Sequence, residues 1–223
     1  MSYEATLARV ETYFDRTATR RWELLTSDAP VSAVRQTVRK GRDQMRNLLL
    51  SRLPTDLTGA RILDAGCGAG QLTAILAARG ADVVAVDISP SLVDIARRRL
   101  EPNLQMRVRF VVGDMLAADL GEFDHVTAMD SLIYYRPDEI VAAVGGWAGR
   151  SRGNVLFSIA PRTLALTIMW RIGQLFPRSE RSPAIVPISM RDLTRLEGGA
   201  GRLVPMGRIT SGFYISQAME YRA

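Results

Sequence analysis

From Arg61 to Ile159 short apolar runs alternate with amphipathic stretches, and that alternation constrains the fold more than any other feature of the chain. RILDAG precedes QLTAILAARG, DVVAVD precedes SPSLVDIARRRL, VRFVVGD follows, FDHVTAMD precedes PDEIVAAVGGWAG, and NVLFSIA closes the series. The short runs are apolar on both faces, which marks strands covered on both sides, while the intervening stretches carry the helical period. Strand and helix in turn predict an α/β fold, a mostly parallel Rossmann-like sheet with helices on both faces. The closing stretch GRLVPMGRITSGFYISQAMEYR adds two strand-like pieces with glycine turns. They are predicted to finish a seven-stranded sheet as an antiparallel hairpin at one edge.

A length of 223 residues suits a single domain. Residues 1–58 read as a helical N-terminal arm, because Leu7, Val10 and Phe14, and then Val34, Val38, Met45, Leu48 and Leu49, recur at helical spacing. Residues 59–159 are the core, 160–197 are too long for a plain crossover and read as an inserted helix with a lid, and 198–223 are the hairpin. The opening MSYEATLARV lacks the apolar centre of a secretory signal. Pro161, Arg162 and Arg171 interrupt the longest apolar stretch, so the chain is expected to be cytoplasmic.

The single cysteine, Cys67, excludes a disulfide framework and a cysteine zinc site, and no protein-bound metal is expected. The single histidine, His125, opens the fourth predicted strand and reads as a packed or hydrogen-bonded strand residue. The net charge of +6 invites nucleic acid as a partner, yet the basic residues are spread over the whole chain and all but Lys40 are arginine. That bias is compositional, and no nucleic-acid partner is expected. One arginine series stands apart: Arg35, Arg39, Arg42 and Arg46 follow one another at spacings of 4, 3 and 4. Helical geometry predicts them on one face opposite Val38, Met45 and Leu49, either solvated or docked on anionic lipid.

The site chemistry is concentrated in LDAGCGAGQ, residues 63–71. Gly66, Gly68 and Gly70 permit a tight turn and a close backbone approach after the first strand. Asp87 ends the second strand 23 residues after Asp64, where an acid can bind ribose hydroxyls. The third glycine of a dinucleotide fingerprint would fall at Gln71, whose side chain would crowd a pyrophosphate. Asp64 repels phosphate but favours a ligand with sulfonium and ammonium groups. The reading is S-adenosylmethionine as co-substrate.

LDAGCGAGQ, VDIS (86–89), VGDM (112–115) and FDHVTAMDSL (123–132) resemble the motifs of class I S-adenosylmethionine-dependent methyltransferases. That resemblance implies a ribose contact at Asp87 and an adenine contact at Asp114, with Ile88, Met115, Met129 and Asp130 completing the cofactor set. Further stretches extend the resemblance nearly end to end: YFDRTATRRW, VRKGRDQM, DSLIYYRPD, SIAPRT, RIGQLFPRSERSP and ITSGFYISQAMEYR. Together they resemble the magnesium-protoporphyrin IX O-methyltransferases of (bacterio)chlorophyll synthesis.

The implied reaction esterifies a porphyrin propionate. The implied partners are magnesium-protoporphyrin IX and a magnesium chelatase subunit, with peripheral membrane contact. Tyr134 and Tyr13 are the candidates at the reacting group. Tyr134 stands where that family often carries histidine, so a catalytic imidazole is not expected here. Trp22, Tyr135, Met169, Trp170 and Phe176 are the candidates for the wall against the macrocycle. A propionate is ionised at neutral pH and needs no general base.

Overall fold

The alternation of strand and helix is observed in the computed structural model, which describes residues 3–18, 23, 26, 32–163, 185–196 and 201–222. Strands β1 (Arg61–Ala65), β2 (Asp82–Asp87), β3 (Val108–Val112), β4 (His125–Ala128), β5 (Asn154–Ile159), β6 (Arg202–Ser211) and β7 (Tyr214–Arg222) form one sheet. Their spatial order is β3-β2-β1-β4-β5-β7-β6. The first five run parallel, whereas β7 pairs antiparallel with both β5 and β6. The order reverses between β1 and β4, so a crevice opens above their carboxyl ends.

Period-2 alternation divides the core between the two sheet faces. Leu63, Ala65, Val84, Val86, Val126 and Phe157 belong to one apolar cluster. Ile62, Val83, Ala85 and Leu156 belong to the other. Helix α1 (Tyr3–Thr12) continues into a π-turn at Tyr13–Ala18, with Val10 and Phe14 buried. Helix α2 (Ala33–Leu50) lies against β6 and β7 and buries Gly41, Met45, Leu49 and Leu50. Gly41 is needed there, because a Cβ would stand 2.5 Å from the Tyr214 ring.

Helices α3 (Gln71–Ala78), α4 (Pro90–Arg99) and α5 (Pro137–Ala148) follow β1, β2 and β4. The Ser89 hydroxyl caps α4 by accepting from the Leu92 N–H, and proline opens the first turn. Beyond β5 the chain returns on itself. Ile188 N–H donates to the Ala160 carbonyl at 2.8 Å, and Arg162 N–H donates to the Ile188 carbonyl at 2.8 Å. Among the described residues no helix is long and apolar enough to cross a membrane.

Candidate active site

The glycine turn after β1 sits over the end of β2, since the N–H groups of Gly66 and Cys67 both donate to the Val86 carbonyl, at 2.8 and 2.9 Å. Gly66, Gly68 and Gly70 all take positive φ. A Cβ on Gly66 would fall 2.3 Å from that of Ser131, so this glycine lets the turn approach the end of β4. Gly70 has a packing constraint of its own. A Cβ there would meet Ala96 at 2.8 Å, and Gly70 is absent from the cleft lining. Its smallness serves the packing of α3 on α4.

Asp87 ends β2 with both carboxylate oxygens engaged by backbone. Oδ2 accepts from Gly68 N–H at 2.8 Å and Oδ1 from Ser89 N–H at 2.9 Å. One side chain therefore ties the glycine turn to the start of α4. Register explains the surroundings of Asp64: pairing of β1 with β4 sets Thr127 beside it. Its carboxylate accepts from Thr73 Oγ1 at 2.6 Å and from Thr127 Oγ1 at 3.4 Å. Burial pushes the Asp64 carboxyl up to about 6, against the opposing effect of the two threonine hydroxyls. Burial also raises Asp87 above the ordinary carboxylate range.

A cleft with about 860 Å³ of atom-free space, part of it open to solvent, lies over these strand ends. Asp64, Gly66, Gly68, Asp87, Ile88, Met115, Met129, Asp130, Tyr134 and Tyr135 all line it. Asp114 and Tyr13 stand just outside the lining. Asp114 Oδ1 accepts from Tyr3 Oη at 2.5 Å and from Leu116 N–H at 2.9 Å. Tyr13 packs edge-on against Phe14, whose ring meets Tyr134 edge-on at 5.9 Å. Trp22, Met169, Trp170 and Phe176 lie outside the described residues.

The arm supplies contacts that the local patterns do not announce. Leu7, Val10 and Phe14 roof the cleft. Tyr3 stacks on Tyr135 at 5.5 Å, and Asp15 accepts from Ser91 Oγ at 2.6 Å at the start of α4. The arginine series departs from its expected outward face. Arg35 is exposed, but Arg42 and Arg46 line the cleft with side chains 13% exposed. They follow Gly41 and Met45 by one residue, about 100° around the helix, and so border the buried stripe instead of opposing it.

Asp130 anchors this second group. It holds a left-handed backbone at φ 58, which aspartate adopts more readily than most residues. Oδ2 accepts from Arg42 Nη1 at 2.8 Å, while Oδ1 accepts from Tyr214 Oη at 2.8 Å and Ser158 Oγ at 3.2 Å. Burial, with the Asp130 charge next in effect, pushes the Tyr134 phenol upward, so it remains a protonated donor at neutral pH. His125 is distant from this chemistry, at the amino end of β4. Its Nδ1 accepts from Asn154 N–H at 3.1 Å, and burial lowers its pKa, in keeping with a structural role.

Comparison with known proteins agrees with this geometry. Residues 62–150 match a methyltransferase domain model, and residues 128–223 match the model of the magnesium-protoporphyrin IX methyltransferase C-terminus. A magnesium-protoporphyrin O-methyltransferase of Rhodobacter capsulatus is 55% identical over 215 residues, covering 96% of this chain and 95% of that protein. The chloroplastic magnesium protoporphyrin IX methyltransferase of Arabidopsis thaliana is 31% identical, covering 95% of this chain and 69% of its own length. The crystal structure of magnesium protoporphyrin IX methyltransferase from Synechocystis PCC 6803 with bound SAH is 30% identical. It superposes with a TM-score of 0.81, covering 96% of this chain and 97% of that one. The fold is that of class I methyltransferases with S-adenosylmethionine as co-substrate, and identity sustained over nearly the whole of both chains places this protein in the magnesium-protoporphyrin IX O-methyltransferase family.

Proposed function

We infer that the protein transfers the methyl group of S-adenosylmethionine to a propionate carboxylate of magnesium-protoporphyrin IX, releasing S-adenosylhomocysteine and the monomethyl ester. The observation that carries this reading is the agreement between the full-length family match and the acid-edged glycine turn beneath an apolar roof. In the reaction a carboxylate oxygen bonds to the methyl carbon as the carbon–sulfur bond breaks and its electron pair returns to sulfur. An anion meeting a sulfonium loses charge separation as it reacts, so a site that excludes water and aligns the pair supplies much of the catalysis.

In this reading Asp87 accepts from the ribose hydroxyls with the lone pairs its two backbone donors leave open, since a carboxylate has about four acceptor sites. Ile88 and Met115 pack on the adenine, with Asp114 at its amino group. Asp64 lies at the cationic end of the cofactor. Leu7, Val10, Phe14 and Met129 exclude water. Tyr134 donates a hydrogen bond that orients the propionate, Tyr13 supports it through Phe14, and Tyr135 walls the macrocycle. The chain is read as cytoplasmic. The affinity of porphyrins for membranes supports a peripheral contact, and the metallated acceptor supports delivery by a magnesium chelatase subunit; the arginine series lends the membrane contact no support, because Arg42 and Arg46 face the cleft.

The direct test is incubation with magnesium-protoporphyrin IX and labelled S-adenosylmethionine, followed by mass analysis of the pigment. One labelled methyl on one propionate is expected. An unmodified pigment in the presence of a cofactor-binding protein would refute the acceptor assignment.

A further inference from the structure

The loop after β3 borders the cleft through Gly113 and Met115, with Asp114 between them in the chain. Loops are ordinarily the mobile parts of a fold, and a mobile contact loses affinity to the ordering it undergoes on binding. Here three consecutive carbonyls of the loop are held by two side chains at the end of α5. The buried Trp147 donates from Nε1 to the Met115 carbonyl at 3.2 Å. Arg150, two residues beyond α5, donates from Nη2 to the Leu116 carbonyl at 3.4 Å and from Nη1 to the Ala117 carbonyl at 2.8 Å. The main chain of Arg150 is itself anchored: its carbonyl accepts from Phe123 N–H at 2.9 Å, and its N–H donates to the Trp147 carbonyl at 3.0 Å.

Planarity of the peptide bond makes this hold directional. The Met115 carbonyl and the Leu116 N–H belong to one trans peptide and point opposite ways, so the bond from Trp147 aims that N–H, which donates to Asp114 Oδ1 at 2.9 Å. The Leu116 carbonyl, held by Arg150, shares the next peptide with the Ala117 N–H, which donates to the Asp114 carbonyl at 3.1 Å. Side chain and main chain of Asp114 are thus both set from the end of α5. We propose that Trp147 and Arg150 are positioning residues for base selectivity, holding Asp114 so that it accepts from the exocyclic amine of adenine and rejects an oxo group in that place. The inference rests on the reading of Asp114 as the adenine contact. A carboxylate fixed in one geometry leaves an opposing oxo group unpaired, whereas a carboxylate free to turn away loses that discrimination.

The test reads a ratio of affinities. Wild type, Arg150→Met, Arg150→Lys and Trp147→Phe are titrated calorimetrically with S-adenosylhomocysteine and with S-inosylhomocysteine, in which an oxo group replaces the exocyclic amine. Wild type should favour the adenine compound by about tenfold or more, as expected for a hydrogen bond to a charged group. Arg150→Met and Trp147→Phe should bring that ratio close to one, with S-adenosylhomocysteine weakened and S-inosylhomocysteine little changed. Arg150→Lys, which keeps a donor but loses the fork, should fall between. If the buried Trp147→Phe change prevents folding, the half-buried Arg150 variants decide alone. The inference is overturned if Arg150→Met keeps the wild-type ratio, and equally if both ligands weaken to the same extent, since that pattern marks a purely structural role. A wild type that binds S-adenosylhomocysteine without preferring it removes Asp114 from the base and the inference with it. A wild type that binds neither compound refutes the methyl-transfer reading itself.

Discussion

The two sides of the cleft are built on opposite principles. On the β1–β2 side most partners are near in sequence: Asp87 accepts from the Gly68 and Ser89 N–H groups, 19 and 2 residues away, and Asp64 accepts its short bond from Thr73 Oγ1, 9 away, with the longer one from Thr127 Oγ1 the exception. On the α2 side, the Asp130 network spans Arg42, 88 residues away, Tyr214, 84 away, and Ser158, 28 away. The first side is a local motif that forms with its turn. The second exists only when helix, strand end and hairpin have all come together, so its members act on stability as much as on binding.

Asp130→Asn should show the largest effect. Asparagine keeps the left-handed backbone accessible but removes the charge facing Arg42. Breaking a buried pair from one side costs about 3–5 kcal/mol, and partial solvent access of Arg42 favours the lower figure. Urea denaturation should register that loss, and unchanged stability would erase the distinction between the two sides. Asp87→Ala is expected to act on binding instead, weakening S-adenosylmethionine by about 1.5–3 kcal/mol in calorimetry. Unaltered affinity in a folded protein would remove Asp87 from the cofactor site.

Protonation of Asp64 gives the next effect. Its folded value of about 6 lies above the ordinary 3.8, so between those values the folded chain holds a proton that the unfolded chain has released. The contribution of Asp64 to stability therefore falls as pH rises through that window. A bound sulfonium favours the ionised form, so S-adenosylmethionine binding should weaken about tenfold from pH 7 to pH 5. The neutral thioether of S-adenosylhomocysteine should respond less, and Asp64→Asn should flatten the difference. Equal pH dependence of the two ligands would place Asp64 away from the sulfonium.

The smallest change concerns Tyr134. Its phenol stays protonated and the acceptor is already ionised, so Tyr134→Phe should slow turnover by tenfold or less, the worth of a hydrogen bond of about 0.5–1.5 kcal/mol. The rate at saturating substrate should remain flat from about pH 6 to 9 in wild type and in His125→Asn. A thousandfold loss in Tyr134→Phe would mean that this residue moves a proton.

Legibility in the sequence follows the same division. The strand series, the sheet and the Asp64–Asp87 pair depend on periodicity and spacing within short windows, and the structure shows them where those patterns place them. The roof of Leu7, Val10 and Phe14 was visible only as a helical stripe, because nothing in its pattern states what it covers. The cleft-facing positions of Arg42 and Arg46 are hidden for a related reason: an amphipathic pattern identifies a buried stripe but gives no sign that its border faces a cavity. One local clue existed. Gly41 interrupts a helix, where it costs about 1 kcal/mol relative to alanine, and its close approach to Tyr214 accounts for it.

Cys67 gives the glycine turn a further chemical property. Its sulfur is buried in a loop that lines the cleft. Burial, reinforced by Asp87 and Asp64, raises the thiol well above its ordinary value. Thiolate is the reactive form of cysteine, and an alkylating sulfonium beside it would be a hazard to the enzyme. Burial first, and after it the same two acids that favour the cationic cofactor, hold the neighbouring sulfur in its protonated, unreactive form.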